Sequence, residues 1–295
     1  MRRALIVLLI LSPILSLYAQ TASPAAQGDA LNDKGQYLDA RTIELNAAAS
    51  ASPAEKAELY WRAARETMEL GDLADKARKP QADTLAIFSE GEGYADKAIA
   101  ADPRNDLAYY WKSANIGRWG QVKGILNSLF KAQPMKDLLV KELSINPDRS
   151  DAYYVLGELY RELPGWPVSF GNPDAAVSLG RMAVDLREKQ VKSGAEKDLV
   201  YNFYTELAKS LYKRNWSPAM RLSEQKNKVA RLQAAATPLD RGSFYEAAVT
   251  LQNVSDRDEA KAIVQRTVSE LTQMASLNAG QAKDLGKAQD VLKGW

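Results

Sequence analysis

The chain has 295 residues, of which 39 are Lys or Arg and 37 are Asp or Glu, and it contains neither histidine nor cysteine. Without these two residue types, a histidine-based catalytic triad, a disulfide and the common zinc sites are all excluded. The near-neutral charge gives no support for nucleic acid as a partner. We therefore expect a protein that acts by binding rather than as an enzyme, with no metal and no cofactor.

The first twenty residues have the pattern of a secretory signal peptide. Arg2 and Arg3 precede an apolar run over 4–17, and a plausible cleavage site follows Ala19. The run is shorter than the roughly 20 apolar residues that a spanning helix needs, so we expect no stable membrane span after cleavage. Removal of residues 1–20 would leave 37 basic and 37 acidic residues and no cysteine for lipid attachment. The pattern predicts an exported, periplasmic protein without a lipid anchor.

Beyond this segment the sequence predicts an all-α fold. Residues 21–27 read as a short Ala/Ser/Pro linker, and long Ala-, Leu- and Lys/Glu-rich segments with isolated Gly and Pro follow. No Val/Ile-rich alternating run stands out, which argues against strands. Ser52-Pro53 has the residues of a helix start, with a capping serine followed by proline. The last helix is predicted at 280–295, where a polar face would cap the end of the array.

An aromatic residue followed four positions later by a small one recurs along the chain. The pairs are Tyr60/Ala64, Tyr109/Ser113, Tyr153/Gly157, Tyr204/Ala208 and Phe244/Ala248. This spacing puts both members on one helix face. Gly157 further predicts a close backbone neighbour, because glycine inside a helix otherwise costs about 1 kcal/mol relative to alanine. We interpret residues 28–279 as an α-solenoid of about five to six irregular helix-pair repeats.

The recurring aromatic positions are farther apart than in a regular repeat. Their spacings of 49, 44, 51 and 40 residues exceed the roughly 34 residues of a regular helix-pair repeat. Each repeat is therefore expected to carry additional residues, near 75–83, 123–134 and 162–173. The sequence does not distinguish a lengthened helix from a loop at these places.

The aromatic and small positions, with the G-x-Y-x-x-A turn at Gly35, resemble the tetratricopeptide repeat. An L-P-x-W loop at 163–166 and a Y-x-x-Y-T-E-L-A helix at 201–208 are more particular. With them, residues 85–271 resemble the T component of TRAP transporters and the related regulator of microtubule dynamics proteins. The resemblance implies an envelope partner, such as a periplasmic solute-binding protein.

In a tetratricopeptide solenoid, the residue after each buried aromatic faces a concave groove. This rule predicts a binding groove lined by Trp61, Tyr110, Tyr154 and Tyr245, with Arg161 among its polar contacts. Glu158 and Lys209 fall on the same predicted face. Exposed aromatic residues of insertions, Trp166 and Trp119, are expected at the mouth. The alternative for each aromatic residue is packing between helices as additional core.

Two functions follow as hypotheses. The first is a periplasmic protein–protein interaction scaffold, in the form of a transporter accessory that docks a solute-binding protein. The second is a carrier that holds an apolar small ligand in the groove.

Overall fold

The computed structural model describes residues 22–295, so the predicted signal peptide lies outside the described residues. Within this range the chain forms thirteen α-helices and two 3₁₀ segments and no β-strand. The prediction of an all-α fold is confirmed. The first six helices are α1 (Pro24–Asn32), α2 (Tyr37–Ala48), α3 (Pro53–Lys76), α4 (Gln81–Ala101), α5 (Asp106–Lys123) and α6 (Ala132–Ile145).

The second half continues the same alternation of helices and short connections. Its helices are α7 (Ser150–Glu162), α8 (Pro173–Ser193), α9 (Tyr201–Arg214), α10 (Pro218–Gln233), α11 (Pro238–Phe244), α12 (Asp256–Gln273) and α13 (Ala279–Gly294). The 3₁₀ segments are Ile125–Lys131 and Tyr245–Ala248. Most helices from α1 to α9 pack against their neighbours in sequence, an arrangement consistent with an α-solenoid. None of the helices within 22–295 has the length and apolar character required to cross a membrane.

Side-chain caps explain where many of these helices begin. The predicted start at Ser52 is confirmed, because its hydroxyl accepts from the N–H of Glu55 while the Glu55 carboxylate accepts from the N–H of Ser52. At the starts of α8, α10 and α12, the side chains of Asn172, Ser217 and Ser255 likewise accept from backbone N–H groups of the first turn. Each cap satisfies backbone N–H groups that have no partner inside the helix.

The structure corrects the boundaries predicted at two places. The segment 21–27, interpreted as a linker, contains the first turn of α1, because Ser23 caps the helix and alanine favours it. The Phe244/Ala248 positions, predicted to share one helix face, do not lie in one helix: α11 ends at Phe244 and a 3₁₀ turn follows. There the amide of Gln225 donates to the carbonyl oxygens of Glu246 and Val249, so these carbonyls bond outside α11.

The three segments of additional length adopt different conformations. At 75–83, α3 and α4 are both long helices and only a short turn separates them. The segment 123–134 instead contains the first 3₁₀ segment. The segment 162–173 is a loop whose Trp166–Pro167 peptide bond is cis.

The close approach predicted at Gly157 is confirmed: a Cβ there would lie 3.3 Å from the carbonyl oxygen of Ala176 and 3.5 Å from the nitrogen of Gly180. This glycine lets α7 lie directly on α8.

A balanced set of charges is buried where α8, α9, α10 and α12 meet. We call it the buried ion network; it comprises Arg181, Arg214, Arg221, Lys228, Asp174, Glu246, Asp256 and Glu259. At its centre, Arg214 pairs with Glu246 at 2.6 Å and with Asp256 at 2.8 Å. Four cations face four carboxylates, so every charge in the network has an opposite neighbour. Removing one member would leave the others uncompensated.

A buried carboxyl group outside this network, Glu44, has no such compensation. Glu44 of α2 is fully buried against Gly28 of α1, and neither of its oxygens has a hydrogen-bond partner among the described residues. Burial, followed by the charge of Glu66, raises the pKa of Glu44 to about 8. The folded protein therefore holds the neutral acid at neutral pH.

This raised pKa predicts a specific pH dependence of stability. The folded state binds the Glu44 proton more tightly than the unfolded state, so stability is greatest below the unfolded pKa of about 4.5 and falls as pH rises to about 8. The substitution Glu44→Met removes this term without removing a hydrogen bond. We expect the variant to match the wild type near pH 5 and to exceed it at pH 8 by on the order of 2–4 kcal/mol.

Urea unfolding of both proteins at several pH values measures the difference directly. Comparing the two curves cancels the contributions of other titrating groups, such as Glu158. A constant offset between variant and wild type from pH 5 to pH 8 would contradict the raised pKa.

Candidate covered cavity

A central cavity of about 660 Å³ lies between one layer of helices and the C-terminal helix. We define the central cavity by its lining. One side comes from α3, α5, α6, α7 and α9 with the first 3₁₀ segment and Leu163, and the other comes from Lys283, Lys287, Asp290 and Val291 of α13. Its apolar surface includes Met68, Met135 and Leu159. Cavities of this size, mainly apolar with a few polar groups, are typical of small-molecule sites.

Contacts at both ends and along its length hold α13 over the cavity. Near its N-terminus the ammonium of Lys283 lies 2.9 Å from Asp72 of α3, more than two hundred residues away in sequence. Asp284 accepts a hydrogen bond of 3.0 Å from the backbone N–H of Asn202 at the start of α9. At the other end Trp295 stacks on Tyr212, with ring centroids 4.2 Å apart. The helix predicted as an end cap therefore bridges from α9 to α3.

Two of the predicted groove aromatics line the central cavity. Tyr110 of α5 and Tyr154 of α7 both contribute to its wall. Tyr154 stacks on Phe203 at 4.6 Å, and its hydroxyl accepts a 2.6 Å hydrogen bond from the amide of Asn202. Burial raises the pKa of both tyrosines well above the usual value, and nearby carboxylates add to the shift. Both rings therefore present neutral hydroxyls at neutral pH.

Arg161, the predicted polar contact, lies at one side of the cavity in a dense set of charges. It is almost fully buried and pairs with Glu206 at 2.6 Å and with Glu162 at 2.8 Å. Burial opposes the ionisation of Glu206, but Arg161 and Lys209 hold its pKa below the usual value. These pairs keep Glu206 ionised and fix its position.

Glu158, one turn before Glu162, has a different environment. Its closest cation is Arg161, whose guanidinium nitrogen lies at 3.8 Å, beyond normal hydrogen-bond distance. Burial, together with the charge of Glu206, raises the pKa of Glu158 to about 7. The cavity thus contains a carboxyl group that can be neutral or charged near physiological pH.

Two other predicted groove residues do not line the cavity and have partners of their own. Trp61 is buried, its indole N–H donates to Glu58 at 3.0 Å, and the guanidinium of Arg62 lies 4.1 Å from the ring centroid. Tyr245 donates its hydroxyl to Asp185 at 2.9 Å. These two side chains therefore pack between helices and do not line a groove.

The two predicted mouth residues are also absent from the cavity wall. Trp119 packs edge-on against Phe130, with ring centroids 6.3 Å apart, and the ammonium of Lys131 lies 4.5 Å from the Trp119 ring. Trp166 is 90% exposed on the loop between α7 and α8. The adjoining residues Leu163 and Ser128 do line the cavity, so both aromatic-bearing segments border it.

Sequence reasoning missed the contribution of α13 to the site. The signal was a narrow apolar stripe, Leu285, Ala288, Leu292 and Trp295, at helical spacing in an otherwise polar helix. Ala288 is fully buried, and the other three pack against the main core. The stripe indicated that α13 packs on other helices, but not that it would cover the aromatic face.

Comparison with known proteins gives a partial relationship. Residues 25–165 match the family model of regulator of microtubule dynamics protein 1-3. This match includes Tyr110, Tyr154 and Glu158 and ends before α8. Regulator of microtubule dynamics protein 1 of Mus musculus is 24% identical over 130 residues, which is 41% of this chain and 42% of that protein. The Bos taurus protein of the same name is 25% identical over 103 residues, 35% of this chain and 32% of its own length.

These relatives correct the predicted location. The chain spans less than half the length of the mammalian proteins that it matches. Mammalian cells have no periplasm, so the prediction of a periplasmic protein is wrong. The prediction depended on residues 1–20, which lie outside the described part of the chain, and on the transporter side of the resemblance.

Proposed function

We propose that this chain is a non-catalytic carrier that holds a small organic ligand in the central cavity. The observation that carries the proposal is the cavity itself, about 660 Å³, bounded by α3, α5, α6, α7 and α9 and covered by α13. Its volume falls within the roughly 300–1,000 Å³ typical of small-molecule sites. Tyr110 and Tyr154 supply amphipathic walls that lose little conformational entropy on contact.

A protein-interaction scaffold is the second candidate. Its support is the exposure of large apolar side chains on the two segments that border the cavity: Trp166, Val168, Leu126 and Phe130. Exposed apolar patches of this kind mark interaction sites in soluble proteins. As part of this second proposal, we infer that the repeats are tetratricopeptide-like and that the chain is related to transporter T components. Its most specific form is the docking of a solute-binding protein.

Native mass spectrometry of the purified full chain tests the carrier function. We expect a non-covalent complex with a small molecule that disappears when the protein is denatured. A spectrum with only the ligand-free mass, both as purified and after incubation with a neutral apolar probe such as N-phenyl-1-naphthylamine, would contradict the carrier function. The scaffold would then be the better account.

A further inference from the structure

We propose that the central cavity selects a zwitterionic organic ligand with an apolar body, holding its ammonium group at Glu158 and its anionic group at Lys287. This inference rests on the proposed carrier function and deepens it by naming the ligand class. It depends on two opposite charges that face the same cavity from different helices and that neighbouring residues leave without a close partner.

The first of these charges is the Glu158 carboxylate. Among residues 22–295, its one ion-pair neighbour at 4.0 Å or less is Arg161, at 3.8 Å, and that guanidinium is engaged more closely by Glu206 and Glu162. A carboxylate has room for several donors. A ligand ammonium at this position would supply the charge that Arg161 does not.

The neighbouring cations are occupied, which makes Glu158 the free anion of this wall. Lys209 lies 2.9 Å from Glu206, and Arg161 lies 2.6 Å from the same carboxylate. Glu206 therefore takes both positive charges, and Glu162 takes a second contact with Arg161. Of the three carboxylates around Arg161, Glu158 therefore has the longest ion-pair contact.

The second charge is the ammonium of Lys287 on α13. The other lysines around the cavity are paired: Lys283 with Asp72 at 2.9 Å, and Lys131 with Glu92 at 2.8 Å. Among the described residues, Lys287 forms no ion pair, although it lies within electrostatic reach of Glu158 and Asp284. A ligand carboxylate or phosphate would give Lys287 a partner.

The two charges together favour a zwitterion over the simpler ligand classes. A ligand with only a positive charge would be attracted by Glu158 but repelled by Lys287. A ligand with only a negative charge would be attracted by Lys287 but repelled by Glu158. A zwitterion satisfies both groups. The rings of Tyr110 and Tyr154 and the apolar side chains of Met135, Leu159 and Val291 line the same cavity, and they suit an apolar or aromatic body.

Calorimetric titration of the full chain with four related indoles tests this inference. L-Tryptophan carries both charges, tryptamine only the ammonium, indole-3-propionate only the carboxylate, and 3-methylindole neither. We expect L-tryptophan to bind at least roughly tenfold more tightly than each of the other three. The charge assignment would be overturned if 3-methylindole bound as tightly as L-tryptophan, although the carrier function would stand.

Single substitutions assign each charge to its residue. Glu158→Gln should weaken L-tryptophan and tryptamine by roughly tenfold and leave indole-3-propionate unchanged, whereas Lys287→Met should weaken L-tryptophan and indole-3-propionate and spare tryptamine. Lys293→Met is the matched control, because Lys293 lies on the same helix with a 75% exposed side chain and should change no affinity. Equal effects of all three substitutions, or no binding of any indole, would overturn the inference.

Discussion

Glu246→Gln should lower the free energy of unfolding by about 3–5 kcal/mol, the usual effect of breaking a buried ion pair from one side. Glu246 is fully buried in the 3₁₀ turn after α11. Its carboxylate lies 3.1 Å from Arg181, 2.6 Å from Arg214 and 2.7 Å from Lys228. Glutamine keeps the shape but removes the charge, so four buried cations would face three carboxylates.

The same residue predicts how the protein responds to acid. Burial opposes ionisation of Glu246, but hydrogen bonds and charges from Arg214, with further charges from Arg181 and Lys228, hold its pKa well below the usual range. Its stabilising contribution is therefore present above the unfolded pKa of about 4.5 and is lost as pH falls below that value. Glu246→Gln should lack this part of the acid dependence.

Denaturant unfolding at pH 7 and at acid pH measures both effects. The control is Lys293→Gln, which breaks an ion pair between side chains that are 75% and 77% exposed and should leave stability unchanged. If Glu246→Gln were as stable as the control at pH 7, the network would not contribute to stability in the way its geometry indicates.

Ending the chain at Asn278, and so deleting α13, should reduce affinity for a neutral apolar ligand by at least roughly tenfold. The deletion removes one side of the central cavity, including Lys287 and Val291, and uncovers the Tyr212 ring on which Trp295 stacks. A bound ligand would then keep only its contacts with the opposite side of the cavity, from α3 to α9. Fluorescence titration with N-phenyl-1-naphthylamine measures the loss.

A milder change distinguishes the covering of the cavity by the whole of α13 from the contribution of the ion pairs of Lys283. Lys283→Met breaks only the contacts with Asp72 and Glu69, and the Lys283 side chain is 45% exposed. Partly exposed pairs contribute little, so we expect affinity within about twofold of the wild type. Unchanged affinity in the truncated chain would show that α13 is not part of the binding site. Circular dichroism of the truncated chain checks that the remaining helices are intact.

The sequence allowed the helical class and many boundaries to be predicted because the signals were local. Ser52 and Pro53 marked the start of α3, and Gly157 marked a place where two backbones approach closely. The segment before Gly28 was misread because Ala, Ser and Pro occur both in linkers and in capped first turns. Only the cap at Ser23 distinguishes the two cases.

The candidate site was predicted less completely because it depends on contacts between distant segments. A single rule, the residue after each buried aromatic, found Tyr110 and Tyr154 but also Trp61 and Tyr245, which have partners among neighbouring side chains. The repeat pattern describes each helix pair alone. It does not contain the return of α13 from the end of the chain to Asp72 of α3, and that return places Lys287 opposite Glu158.

The central claim is that the covered cavity holds the ligand, and filling the cavity tests it most directly. Ala114 of α5 lines the cavity, so Ala114→Trp should occupy its volume, whereas Ala54→Trp places the same side chain on the exposed surface of α3. In titrations with N-phenyl-1-naphthylamine, we expect Ala54→Trp to match the wild type and Ala114→Trp to bind at least roughly tenfold more weakly. Equal affinity of the two tryptophan variants would contradict the account.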